Sequence, residues 1–307
     1  MRAVIPLLER AWAALRTRLF EPQPIARLVF LRIFVPLAIL AFLASRLVHA
    51  DDWLSTAGFH PPTLVDDWRQ PLSIPPLSPA LAWVVAIALV VSGLGTALGA
   101  ATRVTTALFA ALLAYTTLAD RLEAFTVSKL GTVLVIALAF TPCGARWSID
   151  AWRRHRRDPK APRPTHCSGG NVRFFQLLIP IFYFSSGICK ATGDWLKNPH
   201  VLYSHLHDSY QTPVSYFAAN HVPAWMWAVM QGTTLAFEVA APLWFGLRRT
   251  RRYALAYGIA MHTLIGLMFG PVMWFALLMI VLLVGGYANE RLLATLLPTT
   301  KIASAGR

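Results

Sequence analysis

Five side chains able to do chemistry fall inside long apolar runs: Arg32, Lys129, Lys190, Glu238 and His262. Charged groups in hydrocarbon are costly and normally face a bundle interior or a cavity, so each marks a candidate site. Lys190 has the most telling setting, the stretch Tyr183-Phe184-Ser185-Ser186-Gly187-Ile188-Cys189-Lys190. Small residues there let helices approach closely, which would hold the amine inside the bundle. An amine withdrawn from water can act as a base near neutrality. The competing reading is an anchor, with the long stem lifting the charge to the membrane surface. Lys129 has the same two readings.

His262 sits in the middle of an apolar run, as an interhelical hydrogen-bonding group or as a catalytic or ligand-contacting one. Arg32 lies about 9 Å in from one end of its run, and Glu238 about 21 Å from the opposite end of its own. Equal depth predicts a structural Arg32–Glu238 ion pair; snorkelling to the headgroups is the alternative for Arg32. His200, His205, His207 and His221 crowd one loop, and His205-Leu206-His207-Asp208 has the look of a metal-binding fragment. It lacks a partner at fixed spacing, and no metal is predicted.

Positioning such groups requires spans of about 20 mostly apolar residues. Eight runs qualify: 26–47, 79–99, 103–120, 126–145, 173–192, 223–246, 253–269 and 272–288. The last two are joined by Gly270-Pro271, a turn signal. The fold class expected is all-α, a polytopic transmembrane bundle over residues 25–290. Residues 1–24 precede it as an interfacial amphipathic helix, and 291–307 follow as a tail. Of the 307 residues, 56% are hydrophobic and 14% charged, too few charges to cover a water-soluble globule.

The formal net charge is +14, but the basic residues cluster between apolar runs rather than on a polar domain, which argues against nucleic acid and for membrane lipids. Segments 1–27, 100–103, 146–173, 247–252 and 289–307 hold 21 of the 28 Lys and Arg residues. Cytoplasmic loops carry such excess, so both termini are expected in the cytoplasm. The two remaining loops, 48–78 and 193–222, are rich in Pro, aromatics and Asp. Cys143, Cys167 and Cys189 frame neither a disulfide scaffold nor a zinc site. P-loop, GxGxxG, GxSxG and HExxH patterns are missing. No paired broken helices suggest a transporter.

Gly187-Ile188-Cys189-Lys190-Ala191-Thr192-Gly193-Asp194-Trp195, preceded by Gln176-Leu177-Leu178-Ile179-Pro180-Ile181-Phe182-Tyr183, resembles the signature of the HTTM (horizontally transferred transmembrane) domain family. Ser148-Ile149-Asp150, Arg249-Thr250-Arg251 after Glu238, and the order His262, Phe269, Met273, Trp274 agree with it. The resemblance covers roughly residues 20–290. The family includes the membrane core of the vitamin K-dependent gamma-carboxylase, in which a lysine at the position of Lys190 is regarded as the base.

The resemblance implies a quinol-oxidising, epoxidase- or carboxylase-like enzyme. Lys190 would take a proton from a reduced quinone and His262 would donate to a ring oxygen. Trp195, Asp194, Phe184, Trp274 and Lys129 would contact the substrate. Where the carboxylase carries a His, this chain reads Thr126-Val127-Ser128-Lys129, and it has no large lumenal portion, so propeptide-directed glutamate carboxylation is not implied. The alternative is a non-catalytic partner in the maturation or export of a small secreted peptide. Either reading implies the inner membrane of a bacterium.

Overall fold

The computed structural model describes residues 9, 12–13, 16–17, 19–60, 74–119, 126–208, 210–289 and 292–293. Most of the expected N-terminal amphipathic helix and of the tail 291–307 lies outside these; the described positions between 9 and 20 are helical.

The chain is a helical membrane protein. Helix α1 (Ala26–Leu47) runs through the middle of the bundle, and its apolar window is the most buried of the candidate spans. After the short α2 (Ala50–Leu54), helices α3 (Pro79–Leu98), α4 (Thr102–Ala119) and α5 (Thr126–Ala139) wrap one side of α1. Helix α6 (Ile149–Arg157) leads through a short strand, β2 (His166–Cys167), to α7 (Gly169–Thr192). β2 pairs antiparallel with β1 (Gln23–Pro24). Two short helices, α8 (Val201–His205) and α9 (Pro213–His221), precede α10 (Ala224–Val239) and α11 (Ala241–Gly246). Helix α12 (Arg251–Met268) and a 3-10 turn (Gly270–Val272) lead into α13 (Met273–Tyr287), which packs against both α12 and α1.

Each of the eight predicted runs contains helix. Five stretches are long and apolar enough to cross a membrane: α1, α3, α4, α7 and the 270–287 segment. The run 126–145 ends its helix at Ala139. The run 223–246 is not one helix; it breaks at Ala240, and Pro242 opens α11, where its missing N–H costs nothing.

Lipid-facing surface follows helical spacing. On α3, Val84, Ile87, Val91, Leu94 and Leu98 are exposed; on α7, Leu177, Ile181, Phe184 and Ile188 are. Stripes recurring every three or four residues put one apolar face of each helix outward. Such contiguous apolar surface belongs in lipid rather than water.

The basic end of the bundle is pinned by arginines. Arg27 donates to the carbonyls of Gly286 and Ala288, each at 2.9 Å, and Arg251 lies over the Tyr287 ring. Arg32, fully buried, donates to the Trp147 carbonyl. Gly99 ends α3 at φ +68, a conformation that favours glycine, and a side chain there would collide with the Arg32 guanidinium.

Candidate functional site

The expected Arg32–Glu238 ion pair does not form. Arg32 turns to the Trp147 carbonyl, while Glu238 Oε1 accepts from Lys190 Nζ at 2.5 Å. The depth count failed because α10 does not begin level with the end of α7. Its first turns stand beside residues 195–202: Gln231 Nε2 donates to the carbonyls of Trp195 and Asn198, both at 2.8 Å. Counting inward from residue 223 therefore places Glu238 too deep.

Close approach of α7 and α10 puts the pair together. A Cβ at Gly187 would lie 2.8 Å from the Val239 nitrogen and 3.0 Å from Glu238 Cβ, so only glycine lets the backbones meet there. Tyr183, Gly187 and Lys190 occupy one stripe of α7. The Glu238 side chain is 6% exposed and that of Lys190 26%. Lys190 Nζ also lies 4.7 Å from the centroid of the Trp195 ring, a cation–π arrangement.

Lys190 and Trp195 border a cavity of about 560 Å³. α10 and α12 barely touch, and the cavity is the space between them, closed by the 195–210 segment and the start of α13. Its walls are mainly apolar and rich in aromatic rings, with Trp227, Tyr257, Phe269 and Phe275 among them; Thr233, Thr234, His205 and Asp208 add polar groups. Size and lining fit a small, flat, largely apolar molecule with a few polar atoms.

Several predicted substrate contacts stand elsewhere. Phe184 lies on the outward stripe of α7, about 100° round the helix from Tyr183. Trp274 packs against the main core, and its neighbour Phe275 takes the place at the cavity. Lys129 is exposed on α5, away from the cavity. Asp194 is exposed and uses its carbonyl to accept from Lys197 and Asn198 in a turn. His262 is buried one layer behind the wall formed by Met261, Ile265 and Phe275, its Nε2 2.9 Å from the Tyr183 hydroxyl. His205 Nδ1 is 3.8 Å from Asp208 Oδ2, and the His207 ring meets Tyr203 edge-on.

Gln231 was missed by reading only ionisable groups. It is 2% exposed, accepts from Leu202 N at 2.9 Å and ties down the segment that carries Trp195. An amide in the run Met226-Trp227-Ala228-Val229-Met230-Gln231 was the signal. Glu238 was singled out, but for the wrong partner.

The HTTM domain model matches residues 20–285. The chain belongs to the HTTM domain family, the class of membrane protein that its helical bundle and the Lys190 stretch describe. No curated protein and no solved structure matches it significantly.

Proposed function

We propose that the protein is a membrane enzyme that deprotonates and oxidises a quinol, with Lys190 and Glu238 acting together as the base. The observation that carries this is the amine held 2.5 Å from a buried carboxylate at the wall of an aromatic cavity. As an ion pair, Lys190 has no lone pair to offer. Passing its extra proton to Glu238 Oε1 along the short contact leaves a neutral amine and a neutral acid. The amine then takes a hydroxyl proton from the substrate, so that the carboxyl is the net acceptor and total charge is unchanged.

The cavity suits a reduced quinone: aromatic walls for a flat ring, and Lys190, Thr233 and Thr234 for its hydroxyls. A hydroquinone bound there would react with dioxygen, one oxygen atom entering the quinone epoxide and the other leaving as water with the two hydroxyl protons. Trp195 covers the amine from the loop side and limits its contact with water. His262 acts through Tyr183, holding its ring against Phe245 and Phe237 beneath the Lys190–Glu238 pair.

The cavity opens at the end opposite the arginine clusters. We place it toward the outer face of a bacterial inner membrane, with eight passes and both termini in the cytoplasm, by the excess of basic residues at the other end. A groove shared by loops 48–78 and 193–222 would have favoured a peptide-processing role; no described residue of 48–78 lines the cavity.

The test is quinone epoxide formation by the full chain in lipid nanodiscs given reduced vitamin K and oxygen, read by mass spectrometry. Epoxide that disappears in Lys190→Ala is expected. No epoxide, where a known carboxylase forms it, overturns the reading and favours the peptide partner.

A further inference from the structure

At the basic end, the segment between α5 and α7 folds around a second cavity of about 290 Å³. Arg146, Arg154 and Arg163 line it, together with His155, Trp147 and Trp152. Among the described residues, no carboxylate borders it. Asp150 is turned to the start of α4, where it accepts from Ala101 N, Thr102 N and the Thr102 hydroxyl. Asp158 accepts from the Lys160 backbone. None of the three guanidinium groups has an ion-pair partner among the described residues. The buried Nδ1 of His155 likewise has no hydrogen-bond partner there. Buried polar atoms are normally satisfied, so the orphaned His155 nitrogen calls for a partner; with Arg146 half-buried and Arg154 and Arg163 exposed at the rim, one hollow gathers three cations around it and describes a place for an anion.

The walls are held in position before any ligand arrives. Trp147 stands at φ +51, a left-handed conformation that costs a residue with a side chain and persists only when its surroundings enforce it. The enforcing contact is the buried Arg32, which donates to the Trp147 carbonyl. Ser148 then caps α6, accepting from Ala151 N at 2.9 Å and donating to the Gly144 carbonyl at 2.6 Å. The Asp150 carboxylate fastens α6 to α4 in the same stroke. Arg146 and Arg154 are thus presented from a braced turn and a braced helix.

Chemistry decides which anion. The cavity follows the apolar helix α5 within a few residues, and Phe140 at the end of that helix is 84% exposed. Trp152 is 55% exposed beside the cavity, with the Arg156 guanidinium 4.5 Å over its ring. Exposed aromatics beside arginines at the end of a span are the signature of the headgroup layer. We propose that this cavity is a binding site for the phosphate headgroup of an anionic phospholipid. The guanidinium groups hold the phosphate in charge-assisted, forked hydrogen bonds, and Trp152 lies along the glycerol.

This inference is independent of the quinol reading and its test uses no turnover. The full chain, delipidated in detergent, is titrated with phosphatidylglycerol or phosphatidylcholine and the bound lipid counted by native mass spectrometry. The wild type is expected to bind phosphatidylglycerol about tenfold or more tighter. Arg146→Gln/Arg154→Gln/Arg163→Gln should abolish that preference. Arg248→Gln/Arg249→Gln/Arg252→Gln, which removes equal charge around the start of α12, away from this cavity, should keep it. Equal loss in both triple variants would reduce the effect to net charge and overturn the site. Displacement of phosphatidylglycerol by millimolar inorganic phosphate would overturn the lipid assignment in favour of a soluble anion.

Discussion

Lys190 and Glu238, 48 residues apart in sequence, meet at 2.5 Å between Nζ and Oε1. The contact lies at the α7–α10 crossing, brings the Lys190 amine to the wall of the aromatic cavity and leaves Glu238 Oε2 buried with no hydrogen-bond partner among the described residues. The carboxylate is therefore half satisfied, and the lysine is its only described ion-pair partner.

Removing one member of a buried pair leaves an uncompensated charge and costs about 3 kcal/mol. Lys190→Ala should therefore lower the thermal unfolding temperature in detergent markedly. Lys190→Met/Glu238→Leu removes both charges and keeps volume, so it should recover most of the stability while quinol turnover stays absent. A double variant that remains as unstable as the single one would show that the pair does more than balance charge.

Gly187→Ala should destabilise by about 1–3 kcal/mol, because the added methyl meets Val239 and Glu238 backbone that cannot yield. Gly232 is the control. Nothing lies within 4 Å of a Cβ there, and Gly232→Ala should be neutral or stabilise by up to about 1 kcal/mol through its helix propensity. Chemical denaturation of the two variants side by side checks both signs.

The helical bundle was legible because hydropathy acts locally; its lipid-facing stripes came only with the structure. Lys190 with its small neighbours was legible too: Gly187 does bring the helices together. What sequence could not give was the vertical offset of α10 against α7, which decides whether Glu238 meets Arg32 or Lys190. That offset is fixed where Gly187 meets Glu238 and Val239, and at the loop end Gln231 ties the 195–202 segment to α10, all contacts between residues far apart in sequence. Helical phase also escaped at Phe184 and Trp274. One residue of error turns a side chain by about 100°, enough to move it from cavity to lipid or core.

Acid should weaken the basic end. Burial alone would raise the Asp150 carboxyl, but hydrogen bonds from the Thr102 backbone and hydroxyl and from Ala101, with the Arg153 charge, outweigh it and hold it below its ordinary 3.8. A carboxyl depressed in the folded state contributes stability above its unfolded value and loses it as pH falls through the folded one. Asp150→Asn should cost about 1 kcal/mol at neutral pH, the worth of a helix cap. The gap between variant and wild type should close as pH drops below about 4. Unfolding midpoints between pH 3 and 7 test this; a gap that widens on acidification would contradict the assignment.

Gln231 offers the sharpest separation of positioning from chemistry. Its side chain makes three hydrogen bonds to the backbone of residues 195, 198 and 202, and none of its described contacts is to Lys190 or Glu238. Gln231→Leu leaves those backbone groups unpaired in a buried setting, at about 1–3 kcal/mol each for any that fail to find water. The segment bearing Trp195 should loosen while the Lys190–Glu238 pair, held by Gly187, stays in place. For quinol epoxidation this means a KM raised about tenfold with kcat changed far less, since substrate enclosure is lost and the base is retained. Gln231→Glu, which keeps the acceptor for Leu202 but removes both donors, should fall between. A fall in kcat matching that of Lys190→Ala would place Gln231 in the proton transfer itself.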